Sequence, residues 1–402
     1  MFFYCNSLSQ GKGGAETIAT NLTTEMAVRG HKIWVGYNGT NGKKPYYRQH
    51  NSISLVPWEK NKPFQHYQNR ISQLGLDLFF AFYADRQLLD VRKFCCESIP
   101  FGMQECTNPE RLCFNNWKNR TGRKMHSTWE RELIASSATR IRMVMHGYEK
   151  SFPPYVRQNV RSFPNPAPHV LRIAKPAGYP NGIKKIITVG GLKINKNLPL
   201  LIKAFSRLCA KFPEWEIHNY GMLIDDKKKY HREILELISA HHIERKIFFH
   251  GPTDDIFSEY AQSHIHVIPS LSEGCPTCIL EAMAHGLPSV GIENCPGTNE
   301  LIRDGIDGLL VQNDNTGEKL AEGLATLMNS PHLRESLGKQ ALDAAKKYQA
   351  KDTYDQWEKM FYEMAAYKND PERLLREQIA VDKERALHMA RCRQKIFQQD
   401  YK

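Results

Sequence analysis

Between Ile186 and Ile292 the sequence alternates short apolar runs with longer amphipathic stretches. The runs are Ile186–Val189, Trp215–Asn219, Ile247–Phe249, Ile265–Ile268 and Ser289–Ile292, and the stretches between them are Leu198–Ala210, Lys228–Ala240, Asp254–Gln262 and Ile279–His285. Strand and helix in strict rotation predict a doubly wound parallel sheet. The first forty residues carry the same rhythm. Phe2 to Cys5 reads as a strand, Gly11 to Gly14 as a turn, and Ile18, Leu22 and Met26, four apart, as the buried stripe of a helix. Gly30 then caps that helix and Ile33-Trp34-Val35 begins the next strand, which makes one βαβ unit. Past Ile99 a helical region is expected through Trp129 and Leu133, followed by the apolar run Ile141 to Met145.

Phe163-Pro164-Asn165-Pro166-Ala167-Pro168 excludes both helix and central strand, so the interdomain linker is expected at about 163 to 180. The expected class is therefore α/β, with Rossmann-like doubly wound domains at 1–165 and 166–345 facing each other across a cleft. From about Lys319 onward the pattern is helical, and residues 346–402 are expected to pack back on the first domain. The last stretch, Pro371 to Lys402, holds eight Lys or Arg against five Asp or Glu, and is expected to be an exposed or membrane-facing basic helix.

A length of 402 residues suits two domains, and 41% hydrophobic with 24% charged residues is the balance of a globular chain. There is no apolar run of about 18 residues and no basic start of a secretory signal, and the ten cysteines read as reduced thiols. A cytoplasmic location is expected on those grounds. The net charge of +12 favours an anionic partner. Arg111, Lys118, Arg120, Arg123, Lys124 and Arg131, interleaved with Phe114, Trp117 and Trp129, suit either a bilayer interface or a solvated helical face. The chain has no recognition motif for nucleic acid, which is not expected as a partner.

Residues 270 to 288 read Ser-Leu-Ser-Glu-Gly-Cys-Pro-Thr-Cys-Ile-Leu-Glu-Ala-Met-Ala-His-Gly-Leu-Pro, with Glu273 in a loop and Glu281 inside a helix. Pro276 suits the first turn because it has no N–H, which leaves the amides of Thr277 and Cys278 free at the helix start. Such a terminus attracts a phosphate. Glu281, a turn further in, is placed to accept hydrogen bonds from the vicinal hydroxyls of a ribose, and Glu273 lies where a sugar beyond the phosphates would sit. Cys275-Pro276-Thr277-Cys278 also fits a redox dithiol, but its spacing coincides with that of the two glutamates. No second C-x-x-C accompanies it, so a zinc site is not expected, and no Asp-x-Asp motif stands at a strand end.

These residues resemble the retaining GT-B nucleotide-sugar glycosyltransferases, specifically glycosyltransferase family four, whose E-x7-E signature matches Glu273 to Glu281. Asn294-Cys295-Pro296-Gly297, Glu300-Leu301-Ile302, Asp307-Gly308-Leu309-Leu310-Val311 and, at the start, Asn6-Ser7-Leu8 with Gly13-Gly14-Ala15-Glu16 also look like the family, so that the likeness covers residues 1 to about 365. The resemblance implies that Gly13 and Gly14 let the backbone approach a phosphate or sugar. It implies that Lys196 neutralises the departing diphosphate, Glu281 holds the ribose and Glu273 stands beside the donor sugar. Gly191, Gly274, Cys275, Pro276, Thr277 and Cys278 complete the expected donor site. One departure is Gly191, where the family commonly has an arginine; Lys193 stands nearby as a substitute cation.

Glu105-Cys106-Thr107-Asn108-Pro109-Glu110-Arg111 looks like a segment of relatives, which makes Glu105, Asn108 and Arg111 candidate acceptor residues. Neither His126 nor His146 aligns with the histidine often found near the donor sugar. The resemblance further implies transfer with retention of configuration, no metal or other cofactor, and an acceptor that is a glycan or lipid-linked glycan of a bacterial envelope polysaccharide. A peripheral site on the inner face of the cytoplasmic membrane follows from that acceptor. Gly191 motivates the alternative expectation, a catalytically silent relative that binds a nucleotide or a partner.

Overall fold

A computed structural model describes residues 1–9, 13–59, 62, 65–82, 88, 99–106, 131–178, 182–221, 224–225 and 227–400; the side chains of Asn6 and of 392–400 lie outside the description. The chain forms two compact units. The first comprises Met1–Gly11, Ala15–Phe163 and Tyr354–Lys402, and the second Lys12–Gly14 and Pro164–Thr353. The chain thus leaves the first unit at Phe163 and returns at Tyr354.

In the first unit, strands β1 (Phe2–Tyr4), β2 (Trp34–Asn38), β3 (Ser54–Trp58), β4 (Phe79–Ala81), β5 (Phe101–Glu105), β6 (Arg140–Met143) and β7 (Val160–Ser162) form one sheet in the order 3-2-1-4-5-6-7. All its pairs are parallel. Pro57 is tolerated because β3 is an edge strand. The helical region expected past Ile99 is corrected at its start: Phe101–Glu105 is a strand buried at all five residues, held between β4 and β6. Helix α1 (Gly14–Val28) covers one face through Ile18, Leu22 and Met26.

The second unit's sheet is built from β8 (Lys184–Val189), β9 (Trp215–Tyr220), β10 (Ile247–Gly251), β11 (Ile265–Ile268), β12 (Ser289–Ile292) and β13 (Gly308–Val311), in the order 10-9-8-11-12-13, again all parallel. Its helices include α2 (Leu198–Ser206), α3 (Lys229–Ala240), α4 (Ile256–Ala261), α5 (Thr277–Ala284), α6 (Glu318–Asn329) and α7 (Pro331–Ala345). In each sheet the strand order reverses once, at β1/β4 and at β8/β11, and such a reversal opens a crevice beyond the carboxyl ends of the two strands.

The proline segment 164–168 is held on the second unit. Asn165 Nδ2 donates to the Cys275 carbonyl at 3.0 Å, and the Ala167 amide to that of Tyr348 at 2.7 Å. The buried Arg334 guanidinium donates to the carbonyls of Pro176, Ala177, Leu327 and Met328 and lies over the Trp215 ring. One side chain thereby ties the chain entering β8 to α7.

After α7 the chain enters α8 (Ala350–Ala365) and α9 (Pro371–Asp400). Trp357, Met360, Phe361 and Met364 of α8 join Phe3, Phe80, Phe82, Leu22 and Met26 in the first unit's core. The Phe80 and Trp357 rings meet edge-on at 5.3 Å, the geometry the ring quadrupoles favour. Helix α9 buries Leu374 and Val381, and its Gln378 and Arg385 bond to Ser136. Among the described residues no helix is long and apolar enough to cross a membrane.

Candidate functional site

Lys196 ends a 3-10 turn, Ile194–Lys196, that follows β8. Its ammonium lies 2.7 Å from Glu273 Oε1, and both side chains are largely withdrawn from solvent. Two contacts set this meeting. The Leu271 amide donates to the Asn195 carbonyl at 2.9 Å, tying the loop after β11 to the turn after β8. Buried His231 on α3 accepts from the Asp225 amide at Nδ1, so Nε2 carries the proton and donates to the Leu192 carbonyl at 3.3 Å. Burial pulls the Lys196 pKa down, but the surrounding groups, Glu273 first among them through its charge and its hydrogen bond, together outweigh burial and hold the pKa above the ordinary lysine value. The lysine is therefore a cation at the carboxyl end of the sheet where its order reverses.

Helix α5 begins two residues after Cys275. Pro276 is extended, at φ −69° and ψ 111°, and is the residue before the helix rather than its first turn. The correction strengthens the terminus: Thr277 and Cys278 are the first helical residues, whose amides have no carbonyl a turn behind them. An anion placed there meets two N–H groups and the positive end of the helix dipole. Gly297 backs this loop, because a Cβ in its place would lie 2.1 Å from the Gly274 carbonyl oxygen.

Glu281 sits one turn into α5, where its Oε2 lies 2.9 Å from the hydroxyl of buried Tyr260 on α4. Burial raises the Glu281 carboxyl above the ordinary glutamate range, and the Tyr260 hydrogen bond opposes that rise. The same hydroxyl lies 3.2 Å from the Cys278 carbonyl, and the tyrosine ring stacks on His285 with centroids 5.2 Å apart. Neither Tyr260 nor His231 was singled out from the sequence. Each reads there as one more residue of an amphipathic helix, and only the packing of that helix against a strand-end loop gives it a role.

The candidate donor residues Gly191, Lys196, Glu273, Gly274, Cys275, Pro276, Thr277, Cys278 and Glu281 all lie in the second unit, on the loops after β8 and β11 and on α5. Gly191 is half-buried and accepts from the Lys193 amide within its turn, while Lys193 is exposed. Gly13 and Gly14 precede and open α1. Burial pushes the Cys278 thiol up to about 12, so this cysteine carries no thiolate at neutral pH, which disfavours redox chemistry there.

Of the acceptor candidates, Asn108 and Arg111 lie outside the described residues, as do His126 and the basic stretch up to Glu130. Glu105 closes β5 in the first unit, buried and bound to the guanidinium of Arg131, whose Nη2 lies 2.6 Å from Oε2. Arg131 is thus a buried partner of a carboxylate and not part of an exposed basic face. His146 is exposed beyond β6. Among the described residues no group of three or more His, Cys, Asp or Glu side chains converges.

Residues 172–343 match the family model described as glycosyl transferases group 1. An uncharacterized glycosyltransferase of Haemophilus influenzae is 24% identical over 89% of this chain and 98% of its own length. The Campylobacter jejuni N-acetylgalactosamine-N,N'-diacetylbacillosaminyl-diphospho-undecaprenol 4-alpha-N-acetylgalactosaminyltransferase is 30% identical over 41% of this chain and 43% of its own. Among solved structures, sucrose-phosphate synthase from Thermosynechococcus elongatus superposes with a TM-score of 0.76 at 15% identity, covering 91% of this chain and 99% of that one. Anabaena HepE in complex with UDP-glucose does so with a TM-score of 0.68 at 16% identity, over 91% and 99%. These structural likenesses carry the fold, two Rossmann-like domains of GT-B type, and in sequence residues 172–343 are similar to the glycosyl transferases of group 1.

Proposed function

We propose that this protein moves a sugar from a nucleotide-diphosphate-sugar to a glycan or lipid-linked glycan acceptor in bacterial envelope polysaccharide synthesis, with retention of configuration and without a metal ion. The observation that carries the reading is the Lys196–Glu273 pair at 2.7 Å, in the same unit as the open amides of Thr277 and Cys278. In this reading the amides and Lys196 take the diphosphate, Glu281 takes the ribose hydroxyls, and Glu273 stands beside the sugar. The bond from the anomeric carbon to the diphosphate breaks with its electron pair going to the leaving oxygen. The acceptor hydroxyl oxygen bonds to the same face of that carbon and passes its proton to the departing diphosphate. Fixed positive groups at the leaving oxygen act more strongly in this charge-separated state than on bound donor, which is what accelerates the step.

The Campylobacter jejuni relative is named for a diphospho-undecaprenol acceptor and the Anabaena structure for its UDP-glucose, which supports both substrate classes. A lipid-linked acceptor together with a net charge of +12 supports peripheral attachment to an anionic membrane surface on its cytoplasmic side.

The test is nucleoside-diphosphate release from UDP-, GDP- and ADP-sugars, with and without a bacterial lipid-glycan extract. One donor should be consumed only with the extract, EDTA should leave the rate unchanged, and Glu281→Ala should lower it about 100-fold or more. Nucleotide binding with no donor ever turned over would overturn transfer in favour of a silent nucleotide-binding relative, the reading that Gly191 favours.

A further inference from the structure

Leu271, Ile292, Glu293, Asn294, Gln312 and Asn313 line a cavity of about 340 Å³ just beyond the carboxyl ends of β11, β12 and β13. We infer that this cavity binds an uncharged sugar ring of the glycan substrate, separately from the nucleotide; the inference rests on the transferase reading above.

Its lining has the chemistry of a hydroxyl-rich, neutral ligand. The Glu293, Asn294 and Gln312 side chains make no hydrogen bond to described residues, and Asn313 uses only its carbonyl oxygen, which accepts from the Asn315 amide at 3.2 Å. Each carboxamide offers two N–H donors and a carbonyl acceptor, and the carboxylate accepts from adjacent hydroxyls, so the set matches groups that both donate and accept. Leu271, 44% exposed, supplies an apolar wall for the C–H face of a ring.

Charge separates this cavity from a diphosphate site. Its six lining residues include one carboxylate and neither lysine nor arginine, so a diphosphate would meet repulsion without compensation. The volume falls near the lower end of ligand pockets, about 300 to 1,000 Å³, which suits one or two rings. The walls are tied to the donor residues: the Leu271 amide bonds to the turn that carries Lys196, and the Glu293 amide to the Val311 carbonyl of β13 at 2.8 Å. A glycan held here lies on the strand ends next to the loop of Glu273.

Saturation-transfer NMR on the full chain tests this, with maltose, lactose, cellobiose and N,N'-diacetylchitobiose as probes and UDP titrated separately. The variant is Asn294→Gly with Gln312→Ala. Glycine keeps the positive φ of 61° at position 294, and both positions are exposed, so the fold is retained. At least one disaccharide should contact the wild-type protein, and the double variant should weaken it about tenfold, as for two lost hydrogen bonds, with UDP binding unchanged. Absence of disaccharide binding to the wild type, or equal binding by the variant, overturns the inference. Loss of UDP binding along with the sugar overturns it too, since the cavity would then belong to the nucleotide pocket. The binding readout needs no turnover, so failure of the transferase reading is distinguishable from failure of this one.

Discussion

The two parallel sheets share a strand order, 3-2-1-4-5-6 from one edge, but differ in what stands at the carboxyl ends of their strands. In the second unit Lys196 and Glu273 face each other there, with amides left open at the start of α5. In the first unit the carboxylate at the end of β5, Glu105, is consumed by Arg131. They differ also in how they are closed. The second unit's sheet and helices come from one stretch of chain, whereas the first is completed by α8 and α9 from its far end. Equal topology therefore does not mean equal chemistry: one sheet end carries a lysine–glutamate pair beside open amides, and the other is neutralised within itself.

The sharpest break of that comparison is in folding. Trp357→Ala removes a fully buried ring from the first unit's core and should cost about 3–5 kcal/mol in denaturant unfolding, whereas hydrogen exchange in the second unit's strands should change little. Glu105→Gln strands a buried guanidinium and should cost about 3 kcal/mol, read as a fall in Tm. A destabilisation near zero would reopen Glu105 as a residue held for a ligand.

Lys196→Ala should instead act on turnover. The expected fall is about 100-fold in kcat, with a smaller change in stability than either variant of the first unit. An unchanged kcat would remove the lysine from the leaving-group site.

The smallest effect is a pH response that distinguishes the units. Burial pushes His266 down to about 3 and His264 to about 4, both in the second unit. The unfolded chain takes up these protons near pH 6.5 and the folded chain does not. Their contribution to stability is thus fully present above 6.5 and is lost as pH falls toward 3 to 4. In the first unit, hydrogen bonds from His31 and Arg29 hold Glu358 below the ordinary 4.5. Glu363 is also low, because Arg140 and Arg161 outweigh its burial. Those contributions are lost only below about 4.5. The Met1 ammonium of the first unit, which burial pushes down to about 6, loses its contribution between pH 8 and 6. Hydrogen exchange between pH 6 and about 4.5 should therefore show the second unit loosening first, and His266→Gln should flatten that response. Simultaneous loosening would break the distinction.

The second unit was largely legible because its signals are local. Apolar runs two or three turns of helix apart specify βαβ units, and the start of α5 needs only the residues from Glu273 to Glu281. The first unit was less so. Phe101–Glu105 has no alternation and lies beside a stretch rich in aromatic and basic residues, so its strand state is decided by β4 and β6 on either side. Pro276 was misplaced by one residue for a related reason, since helix starts shift with the loop that precedes them.

The sequence by itself determined the class of fold, and it nominated a linker at about 163 to 180 and Lys196, Glu273 and Glu281 as candidate site residues, because periodicity, proline and the glutamate spacing act over a few residues at a time. Only the tertiary structure decided that Lys196 pairs with Glu273, 77 residues on, that Glu105 is silenced by Arg131, and that Tyr260 and His231 hold the site. Each of those pairings is made between elements far apart along the chain. Its energy comes from burying charged and polar groups together, and that becomes favourable only once the sheets have brought the groups within hydrogen-bonding distance.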